Sequence, residues 1–162
     1  MKKIIISDTT TLIILEKQQH LFILCELFKQ VIIPLAVYEE LLAGLKNYNP
    51  LKKNECIVVE TVVLSSRLNN LLTILDKGEA EAIELAVEKQ LPLIIDEKKG
   101  RKVAQRLGLV VTGLAGLLIL AVERNILTSK QAKNLLDAAV QDGYRLSEKL
   151  YEQVSNSLGK SC

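Results

Sequence analysis

Five short apolar runs rich in β-branched residues recur along the chain: KIIIS at 3–7, QVIIP at 30–34, CIVVETVVL at 56–64, LPLII at 91–95 and LVVT at 109–112. Runs this short and this continuous read as strands buried on both faces. Segments of helical spacing separate them. The threonines after Asp8 open a helix through Leu15, and LFILCELF, LAVYEELLAGL ending near Gly44, RLNNLLTIL, GEAEAIELAVEKQ, EKKGRKVAQRLG and GLAGLLILAVERN follow. Strands that alternate with helices in this way imply an α/β fold, with a parallel sheet covered on both faces by its crossovers. The polar stretch KNYNPLKKNE reads as a loop. From about residue 128 two more helices are expected, TSKQAKNLLDAAVQ capped by Thr128 or Ser129, and SEKLYEQVSNSL after Gly143. Leu146, Leu150, Val154 and Leu158 recur at i+4 and form one apolar stripe on the last of them.

A length of 162 residues suits a single domain, 1–162, with the C-terminal helices packed on it. Hydrophobic residues at 49% and charged residues at 25% mark a globular chain. Lys+Arg 21 against Asp+Glu 19 leaves +2, so any nucleic-acid contact must come from local clusters of charge. Cys25, Cys56 and Cys162 are odd in number and scattered without CxxC spacing. Neither a disulfide framework nor a zinc site is expected from them, and a reducing cytoplasm is the expected home. Ser7, Asp8 and three threonines interrupt the N-terminal apolar run, while glycines and a threonine interrupt Leu107 to Val122. Neither approaches the roughly 20 apolar residues of a membrane span, so no membrane segment is expected. His20, the one histidine, lies at a polar helix junction and reads as a surface residue, which excludes chemistry by paired histidines.

Four acids follow or sit against apolar segments. Asp8 and Asp96 each end a predicted strand, where ligands gather in parallel sheets, although both positions also suit a helix N-cap. Helical geometry supplies the other two. Ile83 and Ala86 lie about 40° and 20° from Glu79 around its helix, so Glu79 shares the apolar face. Glu81, Glu84 and Glu88 recur at i, i+3 and i+7 and are expected on a solvated face. Glu40 lies about 60° and 100° from the inward positions Val37 and Leu41, whereas Glu39 lies about 160° from both. Several carboxylates sharing an apolar setting call for a positive charge between them, and a divalent cation is the leading candidate. Gly78, Gly100, Gly113 and Gly116 compose neither GxGxxG nor a Walker loop, and Gly113 and Gly116 read as helix-packing positions.

The segments SDTTTLIIL, IIPLAVYEEL, LDKGEAEAIELA, LIIDEKKGRKVAQRLGL, VTGLAGLL and GYRLSEKLYEQV, taken in order, resemble the PIN-domain nucleases, in particular the VapC-like toxin–antitoxin ribonucleases. The resemblance implies a three-layer α/β/α sandwich with a central parallel sheet, and an endoribonuclease that hydrolyses RNA phosphodiester bonds with Mg²⁺ or Mn²⁺. It implies Asp8, Glu40, Glu79 and Asp96 as catalytic metal ligands, with Glu97 as a supplement. The third acid is Glu79 where many relatives carry Asp, which would move a ligand oxygen and leaves open whether one metal or two are held. Hard cations prefer such all-oxygen donors.

Ser7, Thr9 and Thr10 flank Asp8 and suit hydrogen bonds to its carboxylate or to a metal-bound water, or simply the start of a helix. Lys98, Lys99, Arg101, Lys102 and Arg106 cluster beyond Asp96 and suit contacts to RNA phosphates, the plainer alternative being a solvated helix face. A toxin role implies an antitoxin partner, and the C-terminal apolar stripe suits the domain itself, a homodimer or an antitoxin peptide. The rival reading is a PIN-like module that binds RNA or protein without turnover. A phosphatase or phosphoreceiver site on Asp8 lacks its DxDxT pattern, since Thr10 stands two residues on.

Overall fold

A computed structural model of the chain describes residues 2–159. Two compact units make it up, one ending at Gly113 and the other beginning at Leu114. In the first, β1 (Lys3–Ser7) leads through α1 (Thr9–Lys17) and α2 (Phe22–Leu27) to β2 (Phe28–Pro34). Then come α3 (Leu35–Gly44), a short 3-10 turn (Pro50–Lys53) within the expected loop, β3 (Ile57–Glu60), α4 (Ser66–Leu72) and α5 (Lys77–Lys89). β4 (Leu93–Ile94), α6 (Lys98–Arg106) and β5 (Val111–Thr112) complete it.

The strands form one parallel sheet in the order β3-β2-β1-β4-β5, so the expected α/β fold is the one adopted. Its centre is aliphatic: Ile5, Ile6, Val31, Ile32, Ile33, Leu93 and Ile94 are buried, in keeping with strands covered on both faces. α2 and α3 pack on β2, α3 also on β3, α5 across β1, β2 and β4, and α6 on β5. β3 is shorter than its apolar run. Its ladder with β2 stops at the pair Pro34 and Glu60, because Pro34 has no amide to donate and turns directly into α3. Val63 and Leu64, at the end of that run, lie beyond the strand and are each 74% exposed.

Two charges on α5 correct the expected solvated face. Glu84 is buried, with Arg67 Nη2 2.6 Å from its Oε1 and the Ser65 hydroxyl 3.1 Å from its Oε2, because α4 packs over that side of α5. Glu81 is half-buried, and its Oε1 accepts from the Ala36 amide at 3.2 Å. Pro34 at the N-cap of α3 has no side-chain acceptor, so α5 caps α3 from outside. Glu88 alone of the three is exposed.

The cysteine expectation is also corrected. Cys25 of α2 and Cys56, one residue before β3, form a disulfide with Cα atoms 5.6 Å apart. α2 runs straight into β2, and the Val31 amide donates to the Cys56 carbonyl at 2.9 Å, so pairing β2 with β3 brings the two cysteines together. A separation of 31 residues carries no local signature. The expected reducing compartment rested on unpaired thiols and loses that support. Cys162 lies outside the described residues.

The second unit contains α7 (Leu114–Glu123), α8 (Ser129–Gln141) and α9 (Glu148–Gly159), packed on one another. Of the two caps the sequence offers for α8, Thr128 is the one used, through a reciprocal capping box with Gln131. Of the predicted stripe, Val154 and Leu158 are buried, whereas Leu150 is exposed and Leu146 precedes the helix. Among the described residues no helix is long and apolar enough to cross a membrane.

Two stability measurements follow from this packing. Reducing the Cys25–Cys56 bond opens a loop of about 30 residues, and urea unfolding with and without reductant is expected to show a loss of about 3–4 kcal/mol. Arg67→Ala leaves the Glu84 carboxylate buried with only Ser65 beside it, and the same measurement is expected to show a loss of about 1–3 kcal/mol.

Candidate functional site

The strand order reverses beside β1. The chain steps outward from β1 to β2 and β3, then returns to the other side of β1 for β4 and β5. Parallel sheets bind ligands outside the carboxyl ends of their strands at such a switch point. Asp8 directly follows β1, and its amide donates to the Ile94 carbonyl of β4 at 2.9 Å. Asp96 lies two residues past β4. Neither acid is explained by capping. Asp8 occupies the N-cap position of α1 but makes no side-chain cap, and the N-cap of α6 is Glu97.

α1 gathers two further carboxylates through its threonines. The Thr9 hydroxyl donates to Glu40 Oε2 at 3.0 Å, and the Thr11 hydroxyl donates to Asp96 Oδ2. Ser7, expected near the Asp8 carboxylate, instead donates to the Asp8 carbonyl at 2.8 Å, and Thr10 is half-exposed. Glu40 projects from α3 toward the first turn of α5, where a Cβ on Gly78 would lie 2.8 Å from its Cδ. Glu79, in that same turn, is 6% exposed and its Oε2 is buried with no hydrogen-bond partner.

Three glycines make room for these acids. A Cβ at Gly78 would strike Glu40, one at Gly100 would stand 2.6 Å from Glu79 Oε2, and one at Gly113 would strike Asp96 Oδ1. Gly113 therefore borders Asp96, which corrects its reading as a helix-packing position. No phosphate-loop spacing links the three, because the constraint is imposed by side chains distant in sequence.

The charges are poorly compensated. Burial, reinforced by the charges of Asp76, Glu40 and Asp96, lifts Asp8 from 3.8 to about 7 against the pull of the Thr9 amide. Burial also lifts Glu79 from 4.5 to about 8, helped by a hydrogen bond with Asp76 that only a protonated carboxyl can make, and by the charges of Asp76, Asp8 and Glu97. Glu40 is raised by burial, with the Thr9 hydroxyl and Gly78 amide drawing it down and Asp76 and Glu81 pushing it up. Asp76 recurs in all three. It is exposed, and it caps α5 by accepting from the Glu79 amide at 2.8 Å. Sequence reasoning missed it, although an Asp three residues before Glu at a helix start resembles a capping box. Thr11 was missed as well.

The basic cluster lies on α6. Lys98, Lys99, Lys102 and Arg106 are exposed, while Arg101 is half-buried and its Nη1 donates to the Ile95 carbonyl at 3.0 Å. Arg101 thus braces the turn that carries Asp96. Glu97 is exposed at the rim. Among the described residues no group of three or more His, Cys, Asp and Glu side chains is arranged to hold a metal ion outright. What suits a cation is the all-oxygen donor chemistry and the unpartnered oxygen of Glu79.

A pH dependence follows. Asp8 and Glu79 titrate near 3.8 and 4.5 when unfolded, and near 7 and 8 when folded. Between those limits the folded state holds more protons, so their contribution is complete below the lower pair and is lost as pH rises through the upper pair. In chelator, the Tm is expected to fall between about pH 5 and about pH 8.5, and Asp8→Asn should flatten that slope.

No curated protein sequence matches the chain. Among solved structures, a PilT N-terminus domain protein from the hyperthermophilic archaeon Sulfolobus solfataricus P2 is similar at 13% identity and a TM-score of 0.47, covering 89% of this chain and 99% of that one. A family profile described as PIN domain matches residues 4–160. With nearly its whole length matched, the chain belongs to the PIN-domain family.

Proposed function

We propose that this chain is a metal-dependent endoribonuclease that hydrolyses RNA phosphodiester bonds, using Mg²⁺ or Mn²⁺ held by Asp8, Glu40, Glu79 and Asp96, with Glu97 at the rim. PIN domains are typically nucleases and generally use divalent ions, which supports the class. The observation that carries the reading is the buried, unpartnered Oε2 of Glu79 at the switch-point crevice, within electrostatic reach of Asp8. Such an oxygen is costly to keep ionised without a cation. A cage of three acids is not required, because Mg²⁺ is commonly held by one or two carboxylates, with waters and substrate phosphate completing its shell.

When bound, the cation supplies Lewis-acid polarisation of the phosphoryl group and lowers the pKa of a water. The chain's own residues do the rest. Asp8 and Glu79 give up the protons they hold in the metal-free state, Thr9 keeps Glu40 oriented, and the exposed lysines of α6 with Arg106 neutralise phosphates that the acids would repel. By resemblance to the VapC-like branch, the biological role is that of the toxin of a toxin–antitoxin pair, with an antitoxin protein and a second copy of the chain as candidate partners. A second reading, a module that binds RNA or protein without turnover, is supported by the exposed cations of α6, which can meet phosphates whether or not a metal is held.

Incubation of labelled RNA with Mg²⁺ or Mn²⁺ separates the two. Cleavage is expected, with loss in chelator and a fall of about 10²–10³-fold in Asp8→Asn. RNA binding of equal strength in both proteins, with no cleavage by either, would establish the binding module. Growth arrest on expression, relieved by Asp8→Asn, is the expected sign of the toxin role.

A further inference from the structure

Asp96 is held by more distant parts of the chain than its exposed turn would suggest. It stands past a strand of only two residues, half-exposed, on the turn into α6. Its Oδ2 accepts from the Thr11 hydroxyl, and Thr11 is 1% exposed on α1, 85 residues away in the chain. Its Oδ1 lies over Gly113, where the site of the absent Cβ is also 3.0 Å from Arg101 Nη1, the atom that donates to the Ile95 carbonyl.

Thr11 suits this task for local reasons. Its β-branched side chain has few rotamers, and burial leaves it fewer. A helical threonine often turns its hydroxyl to the carbonyl four residues back, but four residues before Thr11 stands Ser7, in β1 and outside the helix. The hydroxyl turns outward to Asp96 instead. A hydrogen bond from a fully buried donor fixes the plane of a carboxylate that the turn alone would leave to rotate about two torsions.

We infer that Thr11 is the positioning residue for Asp96: it acts from α1 across the β1–β4 switch point to orient that carboxylate for cation binding. The inference rests on the metal-dependent reading above. It is specific to Thr11, because Thr9 on the same helix serves Glu40.

Two measurements test it. In metal-free protein, thermal unfolding of Thr11→Val, Asp96→Ala and the double variant should give a double-variant loss in Tm smaller than the sum of the single losses. Strict additivity would overturn the contact. In isothermal titration with Mn²⁺, Thr11→Val is expected to bind about 10-fold or more weakly, while Thr11→Ser, which keeps the hydroxyl, stays close to the unaltered protein. A Thr11→Val protein that binds Mn²⁺ as tightly as the unaltered one would refute the positioning role, as would a Thr11→Ser protein weakened equally. If the unaltered protein binds no Mn²⁺, the nuclease reading fails, and the unfolding cycle still decides whether Thr11 holds Asp96.

Discussion

Unneutralised negative charge at the switch point of a parallel sheet is the constraint around which the first unit is organised. Asp8 is 4% exposed at the end of the central strand, and the topology puts Asp96 beside it whatever else the chain does, since β1 and β4 are neighbours. An apolar fold gains nothing from a carboxylate there: burial disfavours its charged form, and each added acid raises the cost for the others. Under the metal-dependent reading proposed above, a bound cation offsets that cost, and the stability lost in the metal-free state is the corollary.

Steric room is as much a part of the site as charge. Gly78, Gly100 and Gly113 come from the starts of α5 and α6 and from the end of β5, and each lies against a different acid. Adding a methyl group at any of them would shift a carboxylate. The site is therefore specified twice, by where acids occur and by where side chains do not.

The alternation of β-branched runs with helical spacing made the parallel sheet legible, and the angular position of Glu40 and Glu79 on their helices separated them from exposed Glu39 and Glu88. Those signals are local, so one chain suffices to show them. What stayed hidden depends on contacts between distant segments. Glu84 looks solvated by periodicity, and only the packing of α4 with Arg67 makes it a buried partner. Cys25 and Cys56 meet because β2 pairs with β3. Asp76 is the N-cap of α5, outside the helical residues themselves, and enters the site through charge and capping, which a test of helical faces does not weigh.

The first turn of α5 shows why the acids are not equivalent. A helix N-terminus offers free amides and the positive end of the dipole, and in many parallel folds these bind a substrate phosphate. Here the chain's own carboxylates take them: Asp76 receives the Glu79 amide, and Glu40 is drawn down by the Gly78 amide and the Thr9 hydroxyl. The dipole thus offsets the outer acids and leaves Glu79 and Asp8 with the largest deficit. Under the nuclease reading proposed above, phosphate recognition falls to the exposed cations of α6, which follows Asp96 in the chain. An anion recruited by that helix and a cation drawn to Asp8 and Glu79 would meet at the carboxyl end of β4, where phosphodiester chemistry requires them to be adjacent.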